Sequence, residues 1–386
     1  MKVFPRELQS ALREAARGFG AVIVTGPRRC GKTFLLRRAF PRASYHLLED
    51  PDVIARIRSD PRAWIDSVKT PAILDEVQNV PEVFAYVRTC IDRDNGRPGR
   101  WFLTGSHDLS LMQGVTESMA GRAAVFGLLP LSAGEIGSWH LTLGGFPEAV
   151  LRPRSAGVWF SSYIQTYLER DVRSLRAVRD LSTFRRFLAL LASRHGQILN
   201  RTDLAAPLGI SVPTISEWLG VLETTGHVLL VPPYFENFGK RLTKSPKIYW
   251  LDTGLVCHLL RIESERQLEG SPFVGALFEG FVASEIVKRQ VNRGRARELY
   301  FFRDEQGLEV DFLIPARGGE LLLVEAKWSK TVSPSMARPL TRLMASVRRR
   351  ATRALVVHRR SGVDVGAGVV APGVRAVTVK ELIESL

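Results

Sequence analysis

The chain has 386 residues, enough for two or three domains, and 45% of them are hydrophobic, enough for substantial cores. The formal net charge is +15 and the pI about 10.2, which favours a polyanionic partner such as nucleic acid; an arginine-rich solvated surface would give the same balance. No stretch approaches roughly 18 uninterrupted apolar residues, and the start of the chain lacks the apolar centre of a secretory signal, so we expect neither a membrane span nor export.

The first motif lies between a predicted strand and a predicted helix. Residues 26–33 read GPRRCGKT, the spacing of a phosphate-binding loop. The apolar run at 21–25 before it predicts a buried strand, and residues 34–40 after it predict a helix. Backbone N–H groups and the helix dipole would then favour phosphate. A glycine turn followed by a chance Lys-Thr pair is the alternative.

This loop predicts a site for ATP and Mg²⁺. Lys32 would reach the β- and γ-phosphates, and the Thr33 hydroxyl would ligate Mg²⁺. Because Cys30 lies inside the loop, we expect alkylation of its thiol to block nucleotide binding. The residues expected to contact the nucleotide are Gly26, Pro27, Arg28, Arg29, Cys30, Gly31, Lys32, Thr33 and Phe34. No base-reading motif separates ATP from GTP.

Two further predicted strands end in polar residues. Residues 71–76 read PAILDE, in which Asp75 would hold Mg²⁺ directly or through water and Glu76 would orient or activate the attacking water. Solvated acids at an ordinary strand end are the alternative. Residues 100–106 end in Thr-Gly-Ser, so Ser106 or Thr104 could sense the γ-phosphate, unless these residues only form a turn.

The middle of the chain changes pattern twice. Apolar spacing over residues 158–192 predicts a helical lid, in which Arg170 could reach a phosphate or pair with a neighbouring acid. Residues 198–234 predict a helix-turn-helix followed by a wing, with Ser211 as N-cap of the second helix. That helix is poor in Arg and Lys, so the unit could be a packing module, and the basic loop 240–247 could supply phosphate contacts instead.

A second candidate site lies near the C-terminus. Asp311 interrupts an apolar strand, and Glu325 and Lys327 share one face of the next strand. Because buried charges are costly unless paired or metal-bound, these residues predict a magnesium site in which the lysine positions a water or stabilises developing charge. Glu279, on a predicted helix, could add a third carboxylate. A self-neutralising cluster without activity is the alternative. The arginine-rich stretch at 338–360 could face a phosphate backbone or solvent.

Taken together, these motifs resemble the prokaryotic AAA-type ATPases that carry a C-terminal domain of unknown function related to PD-(D/E)xK nucleases. The resemblance covers nearly the whole chain. It implies a P-loop ATPase core, a winged helix, a nuclease-like end domain and homo-oligomerisation, with Arg122 as a candidate to reach a phosphate in a neighbouring subunit. The segments that carry it are 26–33, 74–78, 103–106, 120–122, 245–255, 278–285, 309–312 and 324–327.

The predicted fold is α/β, with an AAA-type P-loop ATPase core at 1–150, a helical lid at 151–195, a winged helix at 196–240 and a nuclease-like α/β domain at 241–386. The predicted function is a DNA-binding ATPase that couples ATP hydrolysis to DNA remodelling or processing. A nucleotide-switched regulator that binds DNA or a protein partner, and an ATP-gated metal-dependent nuclease, are the alternatives. The three scattered cysteines favour a reducing cytoplasm. The predicted catalytic residues are Lys32, Glu76, Ser106 and Arg122.

Overall fold

A computed structural model describes residues 3–106, 119–168, 180–234, 244–347, 351–359 and 368–386. Arg170 and residues 240–243 of the predicted basic loop lie outside these ranges, as does the side chain of Ser106. Within the described ranges, no single helix has the length and apolar character to cross a membrane. The bent pair of helical segments Arg201–Leu208 and Val212–Thr224 has sufficient length and apolar composition only when the two are taken together.

A five-stranded parallel sheet forms the N-terminal part, in the order β2-β3-β4-β1-β5. Its strands are β1 (Ala21–Gly26), β2 (Ser44–Leu47), β3 (Ala72–Asp75), β4 (Trp101–Ser106) and β5 (Ala123–Gly127). The helices around it are α1 (Leu8–Ala15), α2 (Lys32–Ala39), α3 (Pro51–Ser59), α4 (Pro61–Ser67) and α5 (Val83–Arg93). Separate apolar clusters cover its two faces. Because the strands are parallel, the phosphate-loop motif and the two acids meet at one edge.

Helices follow this sheet. They are α6 (Ala133–Ile136), α7 (Pro147–Leu151), α8 (Ala156–Tyr163) and α9 (Leu181–Ser193), with a π-helical turn at Ile164–Leu168. A capping box starts α6, in which the Ser132 hydroxyl accepts from the Glu135 N–H and the Glu135 carboxylate accepts from the Ser132 N–H. The stretch predicted as one helical lid is therefore divided into α8 and α9 within the part that the structure describes.

Two helices and a small sheet come next. The helices are α10 (Arg201–Ala205) and α11 (Val212–Thr224), and the antiparallel sheet has the order β6-β8-β7, from β6 (Gln197–Ile198), β7 (Val228–Val231) and β8 (Lys247–Trp250). The Ser211 hydroxyl accepts from the Thr214 N–H, so Ser211 caps α11 as predicted. Trp218 anchors α11 against Phe184 and Phe187 of α9.

A six-stranded mixed sheet forms the C-terminal part, in the order β13-β14-β12-β11-β10-β9. Its strands are β9 (Tyr300–Arg303), β10 (Glu309–Pro315), β11 (Leu321–Lys327), β12 (Thr352–His358), β13 (Val369–Ala371) and β14 (Val374–Thr378). The helices of this part are α12 (Thr253–Leu259), α13 (Glu265–Glu269), α14 (Val274–Asn292), α15 (Arg338–Ser346) and α16 (Val379–Glu384). Strands β10 and β11 are buried along most of their length.

The long helix α14 joins the C-terminal part to the ATPase part. The Lys288 ammonium donates to the Leu131 carbonyl at 3.1 Å, and the Glu285 carboxylate accepts from the Ala133 N–H at 2.8 Å. Arg289 pairs with Glu7 at 3.0 Å. One apolar cluster, which extends from Leu129 to Leu382, fills the space between the parts. The nucleotide side of the molecule is thus held to the C-terminal sheet by buried polar contacts as well as apolar packing.

Candidate nucleotide-binding site

The loop between β1 and α2 requires glycine at both ends. Gly26 has φ 148° and Gly31 has φ 96°, values that side chains with a Cβ rarely adopt. A Cβ on Gly26 would lie 2.1 Å from the Leu128 carbonyl oxygen, so the loop also packs closely on the segment after β5. These two constraints fix the backbone path of the loop between β1 and α2.

Lys32 lies folded against its own loop. Its side chain is buried, and its ammonium donates to the carbonyl oxygens of Gly26 at 3.1 Å and Pro27 at 3.0 Å. An ammonium has three donors and is a compact point charge, so the same group is positioned to bind a phosphate oxygen in the loop.

The Asp75 carboxylate, at the end of β3, accepts hydrogen bonds from three hydroxyl groups. Thr33 donates to its Oδ2 at 2.8 Å, Tyr45 donates to the same oxygen at 2.7 Å, and Thr104 donates to Oδ1. The two residues predicted to bind Mg²⁺ are therefore in direct contact, and their hard oxygen atoms suit that cation. Burial, followed by the hydrogen bond to Asp75, raises the pKa of Tyr45 well above its usual range.

Glu76 lines the same cleft but has different partners. Its backbone is left-handed, with φ 58° and ψ 46°, and its carboxylate accepts from the Gln78 amide. The Thr104 hydroxyl, which binds Asp75, lies 3.5 Å from the Glu76 nitrogen and accepts its N–H. Thr104 thus links the two acids, whereas the predicted sensing role of Ser106 concerns a side chain that the structure does not describe.

The cleft over the loop has a volume of about 1000 Å³, which is sufficient for a nucleoside triphosphate. One part of its wall is charged and includes Arg28, Arg29, Glu49, Glu148 and Arg152. Another part is apolar and comes from the chain start and from the segments around α6 and α7: Val3, Phe4, Leu131, Pro147 and Leu151. Apart from the loop arginines, these residues carry no contiguous motif and were not predicted.

Arg6 supports the loop from below and was also not predicted. It is buried, its Nη1 donates to the Cys30 carbonyl at 2.7 Å, and its Nη2 donates to the Leu129 carbonyl at 2.7 Å. Its Nε pairs with Glu135 at 3.0 Å. Because Glu135 also accepts from the Glu7 N–H at 2.8 Å, the chain start, the loop and α6 are joined at one buried ion pair.

The Cys30 thiol lies under the loop. Cys30 is 0% exposed, and its sulfur contacts the carbonyl oxygens of Pro27 at 2.9 Å and Leu128 at 3.2 Å. Burial raises the pKa of this thiol, which makes it less reactive in the folded chain. The predicted block of nucleotide binding by alkylation therefore requires the loop to open first.

The loop also contacts the helices that follow. The Arg29 guanidinium donates to the Tyr167 hydroxyl at 3.0 Å, and Tyr163 lies 3.3 Å from the Arg28 carbonyl, to which its hydroxyl can donate. The same Tyr163 hydroxyl lies 3.0 Å from Nε2 of His227, whose Nδ1 lies 2.8 Å from the Thr225 hydroxyl. A chain of polar groups thus connects the phosphate loop to the end of α11.

Two buried histidines predict that the folded chain loses stability in acid. Burial lowers the pKa of His195 and of His227 to about 3, from 6.5 in an unfolded chain. As pH falls below 6.5, these histidines become protonated in the unfolded chain but stay neutral in the folded chain. The free energy of unfolding should therefore fall by up to ~1.4 kcal/mol per pH unit for each histidine.

Urea unfolding between pH 7.5 and pH 5 measures this slope. We expect His227→Gln, which cannot titrate, to reduce the slope, and the exposed His140→Gln to leave it unchanged. A slope that is equal in wild type and His227→Gln would contradict the prediction.

Arg122 lies away from the cleft. Its guanidinium forms two bonds to Asp92, at 2.6 Å and 3.1 Å, and a third to the Ala120 carbonyl. It does not line the nucleotide cleft of its own chain. Its predicted contact with a phosphate in a neighbouring subunit stays a prediction.

The C-terminal candidate residues do come together. Lys327 lies 2.6 Å from Glu325 and 3.7 Å from Asp311, and Asp311 accepts from the Ala326 N–H at 2.9 Å. Glu279 of α14 is bound instead by Lys247, at 3.0 Å. Burial and the charge of Asp311 raise the pKa of Glu279 to about 7 and that of Glu325 to about 8.

The structure corrects the interpretation of Lys247. Lys247 was predicted at the end of an exposed basic loop, but it is 3% exposed in β8 and its charge is directed at carboxylates, because β8 lies beside α14. The predicted magnesium site at Glu279, Asp311 and Glu325 stays a prediction, although among the described residues no group of three His, Cys, Asp or Glu side chains is arranged to hold a metal ion.

The fold and the loop define a P-loop ATPase of the AAA class, and residues 19–137 match a family described as "AAA domain". The chain belongs to the same family as two mycobacterial proteins, Rv2008c of Mycobacterium tuberculosis and Mb2031c of Mycobacterium bovis, both described as uncharacterized. Each is 32% identical over 349 residues, which cover 88% of this chain and 77% of the relative.

Two more family descriptions and two solved structures also match. Residues 138–266 and 274–373 match domains of unknown function, DUF8612 and DUF4143. The Walker-type ATPase PABY2304 of Pyrococcus abyssi is 16% identical, covering 67% of this chain and 96% of its own, with a TM-score of 0.44. RuvB T158V of Thermotoga maritima is 15% identical, covering 58% and 87%, with a TM-score of 0.29. Scores this low do not define a function.

Proposed function

We propose that this protein hydrolyses ATP with Mg²⁺ and couples the nucleotide state to DNA binding. The observation that carries the hydrolysis is the direct contact between Thr33 and Asp75 at the loop, with Glu76 next in the chain and in the same cleft. This contact supports a Mg²⁺ site made of hard oxygen ligands, with the Glu76 carboxylate near the expected position of the terminal phosphate.

Each of these residues has a distinct role in the proposed reaction. Lys32 leaves the Gly26 and Pro27 carbonyls and binds phosphate oxygens, while Thr33 and Asp75 hold Mg²⁺. Bound Mg²⁺ neutralises charge on the phosphates. Glu76, which is held by Gln78, orients the attacking water and accepts its proton. The apolar wall that includes Phe4 and Pro147 suits a nucleobase.

The proposed DNA contact rests on charge and on the α10–α11 unit. A net charge of +15 favours a polyanion. The axes of the two helical segments meet at 111°, and Ser216 is exposed near the start of α11, where a recognition helix touches DNA. We interpret this unit and its small sheet as a winged helix. Because α11 lacks Arg and Lys, phosphate contacts would come from neighbouring basic segments.

Nucleotide binding could reach this unit through the polar chain at the loop. Tyr163 faces both the Arg28 carbonyl and His227, and a Cβ on Gly226 would lie 3.1 Å from the Pro27 ring. A displacement of the loop by phosphate would therefore be transmitted to the end of α11. The contacts of Tyr163 and Gly226 with the loop are the physical basis for the proposed coupling.

Mg²⁺-dependent ATP hydrolysis without DNA and with single-stranded, duplex and branched DNA tests the proposal. We expect one DNA form to raise the rate, the increase to shrink as salt is raised, and Lys32→Ala to lose hydrolysis under every condition. A Lys32-dependent rate that no DNA changes would remove the DNA part and leave the ATPase.

That second outcome corresponds to a different function, a nucleotide-switched regulator with a protein partner. The observation that favours it is α11 itself, whose solvent side carries Glu217 but neither Arg nor Lys. A pull-down with ATP, with ADP and without nucleotide would then identify the partner.

A further inference from the structure

We infer that Lys247 takes the place of a metal ion in the C-terminal carboxylate cluster, so that this cluster is an internal charge-neutralising joint and not a metal centre. The cluster comprises Glu279, Glu309, Asp311 and Glu325 with Lys247 and Lys327. The inference is independent of ATP hydrolysis and of DNA binding.

The ammonium of Lys247 is surrounded by carboxylates from two elements. It lies 3.0 Å from Glu279 of α14, contacts Glu309 of β10 and lies 4.0 Å from Asp311 of the same strand. Its side chain is 3% exposed, so this charge has no access to bulk water that would substitute for these partners. Three carboxylates thus share one buried cation, and that cation is the Lys247 ammonium.

The second lysine occupies the other side of Asp311. Lys327 contacts Glu325 at 2.6 Å and Asp311 at 3.7 Å, so Asp311 lies between two ammonium groups. Asp311 also accepts from the Ala326 N–H, and Glu325 accepts from the Asp311 N–H at 3.4 Å. The oxygen atoms that a cation would need are therefore engaged by protein donors.

A lysine and Mg²⁺ place different demands on a site. Mg²⁺ requires close to octahedral oxygen geometry at about 2.0–2.1 Å, whereas an ammonium needs up to three acceptors at hydrogen-bond distance. The 3.0 Å distance from the Lys247 ammonium to Glu279 fits the second case. Because β8 belongs to the small sheet, while Glu279 and Asp311 belong to the C-terminal part, this lysine also ties the two parts together.

Binding of Mn²⁺, measured by electron paramagnetic resonance on the full chain, tests the inference. An Asp75→Asn background removes the contribution of the ATP site. We expect this background to have no Mn²⁺ site that depends on Asp311, and the further change Lys247→Met to create one site per chain that Asp311→Asn abolishes. The matched control is Lys330→Met, which changes an exposed lysine nearby and should create none.

Three outcomes would overturn the inference. The first is Asp311-dependent Mn²⁺ binding with Lys247 intact. The second is a folded Lys247→Met chain without a new site. The third is Mg²⁺-dependent DNA nicking by wild type that Asp311→Ala abolishes. If circular dichroism shows that Lys247→Met does not fold, Lys247→Gln replaces it, and the first and third measurements remain decisive because they keep Lys247.

Discussion

ATP hydrolysis should fall by about 10²- to 10⁴-fold in Glu76→Gln while nucleotide binding is retained, since loss of a general base typically has this effect. Glutamine keeps the size of the side chain but cannot accept the proton of the attacking water. Asp75, Thr33 and Lys32 would still hold the nucleotide, because none of them bonds to the Glu76 side chain. The measurements are the steady-state rate and the Kd of a fluorescent ATP analogue.

The matched control for this change is Glu82→Gln. Glu82 is exposed, lies six positions further along the chain and does not line the cleft. The Glu82→Gln variant should hydrolyse ATP at the wild-type rate. If Glu76→Gln hydrolyses ATP at the wild-type rate, the water is activated by another group and the proposed role of Glu76 is wrong.

The second large effect is expected at Arg6. Arg6→Met would leave the buried Glu135 without its cation and two carbonyls, those of Cys30 and Leu129, without donors. Breaking a buried ion pair typically costs about 3–5 kcal/mol, which corresponds to a population of open loop higher by about 10²- to 10⁴-fold. We expect the loop to loosen and ATP binding to weaken.

The rate at which a maleimide modifies Cys30 reports this loosening directly. The three cysteines are free and buried, and Cys90 and Cys257 lie in α5 and α12, away from the loop. In Arg6→Met, Cys30 should react faster while Cys90 and Cys257 do not, and ATP should slow the reaction. Arg13→Met, an exposed change on α1, is the control.

Two results distinguish a positioning role from general destabilisation. If all three cysteines react faster together, Arg6 supports the whole fold and not the loop specifically. If a folded Arg6→Met chain shows wild-type reactivity at Cys30 and wild-type ATP affinity, the support that we assign to Arg6 does not exist.

Much of the nucleotide site can be predicted because its chemistry is contiguous. The loop spacing places Lys32 and Thr33 by itself, and a buried strand that ends in Asp75 and Glu76 must reach the same sheet edge when the strands are parallel. Tyr45 shows the limit: its hydroxyl reaches Asp75 only because β2 pairs with β3, a register that no local pattern in the chain reveals.

The C-terminal cluster shows the same limit more strongly. The period of a strand places Glu325 and Lys327 on one face, and the sequence correctly predicts that Asp311 lies nearby. Lys247 is separated from Asp311 in the chain by α12, α13, α14 and β9, and a lysine near other basic residues predicts an exposed position. Only the packing of β8 against α14 shows that the charge of Lys247 is buried among carboxylates.

Helix α14 also bears on how the protein can be divided for study. Its residues supply partners for the Leu131 carbonyl, the Ala133 N–H and Glu7, all within the ATPase part. A chain that ends before α14 would expose these groups and the apolar surface behind them to water, at a cost in stability. We therefore expect the two halves to unfold as one cooperative unit, and an ATPase fragment without α14 to aggregate or remain partly unfolded.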